Sequence, residues 1–380
     1  CGITHTTASD IIMDAVGSYY TSPLRKWDAV ICTSEAVKKN LENGLEAKKE
    51  YLRSVLGLNK FERPVLPVIP LGVNCDEFEY NFDDRSKSRS FFGADDNTII
   101  VLYVGRLSFH AKANPISMYT AIEEAAKKSP KLNIKLIECG WFSNDWIKEA
   151  FEEAKNTIFK NVECIHIDGR DKLNRDKAWS SADIFCSFSD NIQETFGISP
   201  IEAMASGLPV IVSDWNGYKE TIIDGEVGFK IPTIMPEKNI GSGLMVSYGV
   251  GADNYDTYLA KTNALISVNL EIAIKKFDLL FKSKELRKNL GKNGKIRAKA
   301  IFDWQVVIPQ YESLWSELSQ IRNSDEGNYA YKGVWPERLA PFEAFGHYSS
   351  DKLSIHDTIC FRFGNISYNL NQLGLMKNLK

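Results

Sequence analysis

The chain has 380 residues, of which 44% are hydrophobic and 25% charged, and its formal net charge is −3. That length suits two domains with proper cores, and the near-neutral balance excludes the broad basic field of a nucleic-acid binder. No apolar run approaches the roughly 18 residues that a spanning helix requires.

The chain begins "CGITHTT", with a strand expected over about 1–6. "WDAVICTS" (27–34) reads as a buried strand, and Ser34 then caps a helix with Ala36, Val37, Leu41 and Leu45 on one face. "RPVLPVIPLG" (63–72) is extended by its three prolines. Five further strands are expected at 97–106, 132–140, 161–169, 182–189 and 208–214. Helices near 115–129, 144–156, 172–181 and 199–206 separate them. Unalternated apolar strands joined by helices form a parallel sheet covered on both faces, so the fold class is α/β and doubly wound. Residues 233–264 carry turn residues without a period and read as an insertion before a helix at 268–281. Residues 323–380 are aromatic-rich without a clean pattern and are expected to be an extension packed on the body.

Cys1, Cys32, Cys75, Cys139, Cys164, Cys186 and Cys360 form no C-x-x-C pair, and several lie in apolar runs such as "AVIC" and "ADIFC". Buried thiols of this kind suit a reducing, cytoplasmic setting.

The chemistry concentrates in "DNIQETFGISPIEAMASGLPVIVSD" (190–214), where Glu194 and Glu202 stand eight positions apart. Ligands of open parallel sheets bind beyond the carboxyl ends of the strands, where loops feed helix N-termini. Gly197 permits a close backbone approach. Ser199, Pro200 and Glu202 match a capping box with proline at the first helical position, which gives Glu202 a purely structural reading. The same helix start offers free N–H groups and a positive dipole end to a phosphate. Acids beside an anion site need hydroxyls to face, and a nucleotide sugar supplies both groups. "YVGRLSFHAKANP" (103–115) places Arg106 and Lys112 on the loop after another strand of the sheet. Two cations there can neutralise a diphosphate, although taken alone they read rather as solvated surface charges.

These residues resemble the family 4 retaining glycosyltransferases of the GT-B fold, with two Rossmann-like domains. The signature of two glutamates separated by seven residues stands as "ETFGISPIE" and is followed by "AMASGLPVIVSD". "VGRLS" with Lys112, "VIPLGVN" (68–74) and "FDWQVVIPQYESLW" (302–315) are similar to the family's cationic loop, interdomain crossover and closing helix. The likeness runs from residue 1 to about 322 and implies a division into four parts. Residues 1–82 would be an acceptor-side domain, and 83–305 a nucleotide-sugar domain with the insertion. Residues 306–322 would cross back to the first domain, and 323–380 would extend beyond it. Only three strands precede the crossover, and the family's N-terminal glycine-rich loop is absent, so the first domain is expected to be incomplete. An exposed strand edge would then favour a homo-oligomer.

The resemblance also implies roles. Arg106 and Lys112 would bind the donor diphosphate, and Glu194 the sugar hydroxyls. The N–H groups of Thr195, Phe196, Gly197 and Ile198 would hold sugar oxygens and phosphate, and Glu202 the ribose. Arg170 would lie near the base and His5 near the anomeric carbon. The donor would be a UDP-, GDP- or ADP-sugar, and the acceptor a sugar, a glycan or a lipid-linked group. Transfer would proceed with retention, without metal or cofactor. A module that holds nucleotide sugar without turnover, or a truncated inactive form, is the first alternative, and a sugar-nucleotide epimerase of the same fold the second. Lys38, Lys39, Lys48, Lys49 and Arg53 offer a basic helix face for peripheral membrane contact, but Glu42, Glu46 and Glu50 interleave with them and favour a solvated face.

Overall fold

The computed structural model describes residues 1–327 and 339–357. Contacts divide the chain into two units, Cys1–Glu326 and Gly327–Lys380. The first begins with β1 (Gly2–Ile3), α1 (Asp10–Gly17), β2 (Val30–Ile31) and α2 (Glu35–Leu56). β1 pairs in parallel with β2, and Val65 and Val68 bridge to Ala29 and Cys32 on the other side. The Ser34 hydroxyl accepts the Val37 N–H at the start of α2, and Gly57 ends the helix at φ 65°. Val37, Leu41 and Leu45 face inward against Val16, Cys32 and Leu66.

A second lobe follows α3 (Phe82–Phe91). Its strands are β3 (Thr98–Val104), β4 (Asn133–Gly140), β5 (Val162–Asp168), β6 (Ile184–Ser187), β7 (Val210–Ser213) and β8 (Gly228–Ile231). Between successive strands run α4 (Pro115–Lys127), α5 (Asp145–Ile158), α6 (Lys172–Ser181), α7 (Ile198–Ala205) and α8 (Tyr218–Thr221). All strand pairs are parallel, in the order β5-β4-β3-β6-β7-β8. Numbered within the lobe this is 3-2-1-4-5-6, the doubly wound arrangement in which ligands bind where the order reverses. Ile100, Val101, Leu102, Ile184, Phe185 and Cys186 are fully buried, because helices cover both faces.

Elements not expected from the sequence include β8 and α3. β8 is a four-residue strand, "GFKI", too short to declare a period. α3 is polar and is specified by contacts instead. Asn81 and Asp84 form a reciprocal capping box, and Arg85 and Arg89 reach Asp183 at 2.6 and 2.8 Å.

The insertion is pinched at its base by an antiparallel pair of β9 (Thr233–Ile234) with β10 (Ser267–Val268). Between them lie α9 (Ser242–Gly249) and α10 (Tyr255–Asn263). α9 buries no residue, which explains why no amphipathic signal marked it. The lobe closes with α11 (Leu270–Lys282) and α12 (Lys284–Arg297), and α13 (Trp304–Asn323) then packs Val307, Leu314 and Leu318 on Ala29, Ile31 and Ile69. The crossover is fixed where Val73 N–H donates to the Phe302 carbonyl at 2.8 Å and Trp304 N–H to the Val73 carbonyl at 3.1 Å. The second unit contains α14 (Pro341–Ala344) and a 3-10 turn over Gly346–Tyr348. Cys360 and much of the expected extension lie outside the described residues. No helix among the described residues is long and apolar enough to cross a membrane.

At the carboxyl end of the sheet Gly105 donates its N–H to the Cys139 carbonyl at 3.1 Å. A Cβ on Gly140 would meet the Gly105 carbonyl oxygen at 2.0 Å. Backbone cannot yield as a side-chain tip does, so Gly140→Ala must push the 105–106 loop outward. We expect this substitution to destabilise the protein by about 1–3 kcal/mol in urea-induced unfolding.

Candidate active site

The order of the sheet reverses between β3 and β6, and the loops leaving these two strands face each other there. They are stitched together along their length. Ser189 Oγ donates to the Lys112 carbonyl at 3.3 Å, Asn191 Nδ2 to the His110 carbonyl at 2.5 Å, and Gln193 Nε2 to the Ala111 carbonyl. Lys112 Nζ reaches Glu194 Oε2 at 3.0 Å. Glu194 is 8% exposed, and a carboxylate so buried requires a partner charge. Its other oxygen accepts the Thr195 N–H at 3.2 Å and the Phe196 N–H at 3.5 Å. Two of the four N–H groups expected to meet a ligand are therefore taken by Glu194. Those of Gly197 and Ile198 have no partner among the described residues.

Gly197 sits at φ 84°, and a Cβ on it would meet Tyr218 Cε1 at 1.9 Å. Both conditions demand glycine. α7 starts at Ile198 with Gly197 as its N-cap and no side-chain cap bond, so the expected capping box does not form. The reason is geometric. Once the glycine turns the chain, helical conformation begins before Ser199, and Ser199 and Pro200 fall inside the first turn. Glu202 is thereby released from any capping role. Among the described residues its carboxylate makes no hydrogen bond.

Burial pushes the Glu202 carboxyl up to about 7, with Arg175 opposing that rise. Arg175 was not singled out from sequence, although it lies one turn into α6 at the same sheet edge. Its Nη1 donates to the carbonyls of Gly169 at 2.7 Å and Arg170 at 3.1 Å, which ties the loop after β5 to the surroundings of Glu202. Asp190 was also passed over. It is 4% exposed, its Oδ1 has no partner in the structure, and burial pushes its carboxyl up to about 7. Arg106 is half-buried and donates to the Ala111 carbonyl at 3.4 Å. Arg170 is exposed and held by Asp168 at 2.6 Å, which lowers the Asp168 carboxyl to about 2. His5 is exposed, and its carbonyl accepts the Thr195 hydroxyl at 2.8 Å. The first lobe also enters through Ser34, whose hydroxyl donates to the Thr195 carbonyl at 2.8 Å. Arg106, Lys112, Glu194, Thr195 and His5 thus share one locus, while Glu202 and Arg175 lie toward the β4–β5 side and Arg170 at the edge.

Residues 84–238 match the model of the family described as glycosyl transferases group 1. That stretch is therefore similar to group 1 glycosyl transferases. The chain is 37% identical over 170 residues to a phosphatidyl-myo-inositol mannosyltransferase of Mycobacterium tuberculosis, covering 44% of this chain and 40% of that protein. It is 25% identical over 207 residues to a D-inositol 3-phosphate glycosyltransferase of Corynebacterium kroppenstedtii, covering 54% of this chain and 42% of that protein. The chain spans less than half the length of these two curated relatives. Among solved structures, Alr3699/HepE of Anabaena in complex with UDP and glucose superposes with a TM-score of 0.53 at 15% identity, covering 85% of this chain and 71% of that one. A glycosyltransferase from Rickettsia africae ESF-5 gives 0.54 at 18% identity, covering 81% and 68%. The matched residues contain the switch point and both of its loops.

Burial holds the folded Glu202 carboxyl up at about 7, against an ordinary value of 4.5. Between those values the native state holds more protons than the unfolded chain, so this group lowers stability as pH rises through the window. Glu202→Gln should raise the melting temperature above that of the parent at about pH 8, with the gain gone below about pH 4, in thermal scans across pH.

Proposed function

We propose that this chain transfers a sugar from a nucleoside diphosphate sugar to a hydroxyl acceptor with retention of anomeric configuration. The observation that carries the reading is that Arg106 and Lys112, on the loop after β3, lie at one switch point with Glu194, on the loop after β6, while Glu202 and Arg175 lie beside it. A diphosphate placed there meets Arg106, Lys112 and the N–H groups of Gly197 and Ile198 at the positive end of α7. Lys112 exchanges part of its pairing with Glu194 for the phosphate, and Glu194 turns to the sugar hydroxyls. Glu202 faces the ribose, and Arg175 favours its charged form against burial while fixing the neighbouring Gly169–Arg170 loop. That Alr3699/HepE was solved with UDP and glucose supports a uridine nucleotide as the first donor to try.

In the reaction the bond between the anomeric carbon and the leaving phosphate oxygen breaks. The bond to the acceptor oxygen forms on the same face of the sugar, and the acceptor proton passes to the departing phosphate. Negative charge builds on that phosphate, and the preorganised cations and N–H dipoles stabilise it without reorganising. The first lobe brings His5 to this place through the Thr195 bond and forms the wall from which an acceptor approaches.

Titration of UDP, GDP and ADP into the purified chain, followed by thermal stability, tests the donor site. A ligand at 100 times its Kd stabilises the native state by about 2.7 kcal/mol. One nucleotide should give this shift, and Glu202→Ala and Arg106→Ala should each abolish most of it. No shift with any nucleotide in a folded chain overturns the reading.

A further inference from the structure

The α9–α10 insertion supplies none of the residues proposed for the donor site, yet it touches the first lobe and the loops after β3 and β6. Tyr255 Oη lies 3.4 Å from Thr6 Oγ1 in the first lobe and donates to Gln193 Oε1 at 3.3 Å, one residue before Glu194. Tyr248 Oη accepts the Asp10 N–H at 2.8 Å and donates to Asp10 Oδ1 at 3.2 Å. Asn263 Nδ2 donates to the His110 carbonyl at 2.8 Å, two residues from Lys112. Leu259, fully buried, packs with Ala8 and Ala111. The Tyr248 and Tyr258 rings stack at 4.4 Å and 6°, which joins the two helices of the insertion.

The segment these contacts hold has little other support. β1 contributes only two residue pairs to its sheet, and its last ladder bond runs from Thr4 N–H to the Ile31 carbonyl at 2.9 Å. From His5 to Asp10 the chain leaves the sheet. It is then held by Thr195 on one side and by Tyr255 and Tyr248 on the other.

We propose that the insertion is a strap that fixes the His5 segment of the first lobe over the donor-facing loops, with Tyr255 as the positioning residue that ties Thr6 to Gln193. Its catalytic consequence rests on the proposed sugar transfer, whereas the strap itself is a structural claim that stands apart from it. Tyr255 touches no reacting atom. It holds the backbone carrying His5 in register with the backbone carrying Glu194, so the acceptor side is ordered before the donor arrives. A displacement of even one ångström between groups meant to meet in a transition state lowers turnover more than it lowers ground-state affinity.

Tyr255→Phe tests this, because it removes the hydroxyl and keeps the ring in its apolar cluster. Amide hydrogen exchange of the whole chain should accelerate roughly fivefold at residues 4–10 and 191–195, as expected for a lost hydrogen bond holding a local opening shut, and stay unchanged in β3, β4 and β6. Tyr248→Phe should accelerate residues 8–12 alone. Release of nucleoside diphosphate from UDP-glucose or GDP-mannose, whichever base the titration selects, should lose roughly tenfold in kcat while the donor KM moves less than about twofold. Glu202→Ala should instead act mainly through KM. Unchanged exchange at 4–10 and 191–195 in Tyr255→Phe overturns the strap, and an unchanged kcat overturns the positioning role. If the parent binds no nucleotide, the proposed function fails and hydrogen exchange alone decides the strap.

Discussion

The reversal of strand order between β3 and β6 is the constraint on which the other features depend. A parallel strand must hand its chain to a crossover helix, so every strand ends by releasing a loop at the same edge of the sheet. At most positions the next crossover covers that loop. At the reversal the crossovers depart in opposite directions, and the two loops are left facing one another over an open crevice. Here the crevice is bound along its floor by side-chain amides and hydroxyls donating to backbone carbonyls, from Ser189, Asn191 and Gln193 to Lys112, His110 and Ala111. These bonds give the cationic loop a fixed shape without occupying its charges.

Charge then decides what the crevice can hold. Glu194 and Asp190 are both buried in one short loop, and they differ because, among the described residues, Glu194 pairs with Lys112 and Asp190 with no cation. The Lys112 pair keeps Glu194 anchored in the absence of ligand, whereas Asp190 is driven toward its neutral form. Glu202 falls between them, with Arg175 nearby and burial opposing its charge. Three carboxyls within thirteen residues thus have three environments, set by which neighbouring loop supplies a cation.

Much of the second lobe is legible in the chain itself. Continuous apolar runs such as "TIIVLYV" and "LPVIVSD" must be buried on both faces, and that requirement fixes strands, helices and a parallel sheet together. The placement of Arg106, Lys112 and Glu194 on loops leaving apolar runs is legible too, because such loops leave a parallel sheet at one edge. β8 escapes because four residues do not establish a period. α3 and α9 escape because one is held by arginines reaching Asp183 and the other buries no side chain. Arg175 is hidden for a related reason. A single arginine in a polar helix is indistinguishable from surface charge until the fold brings it to Glu202 and to the Gly169 carbonyl.

The sequence by itself determined the fold class and the edge of the sheet at which Arg106, Lys112 and Glu194 leave their strands, since hydrophobic burial and turn residues act locally and leave a local record. The tertiary structure alone decided how those groups pair. It replaced the expected capping box with a glycine N-cap, because Gly197 must pass within contact of Tyr218, a residue twenty-one positions away. It also turned a turn-rich insertion into a bridge between Thr6, Asp10 and the loop after β6. Contacts between residues so distant in the chain depend on the packing of the whole unit, and no local pattern records them.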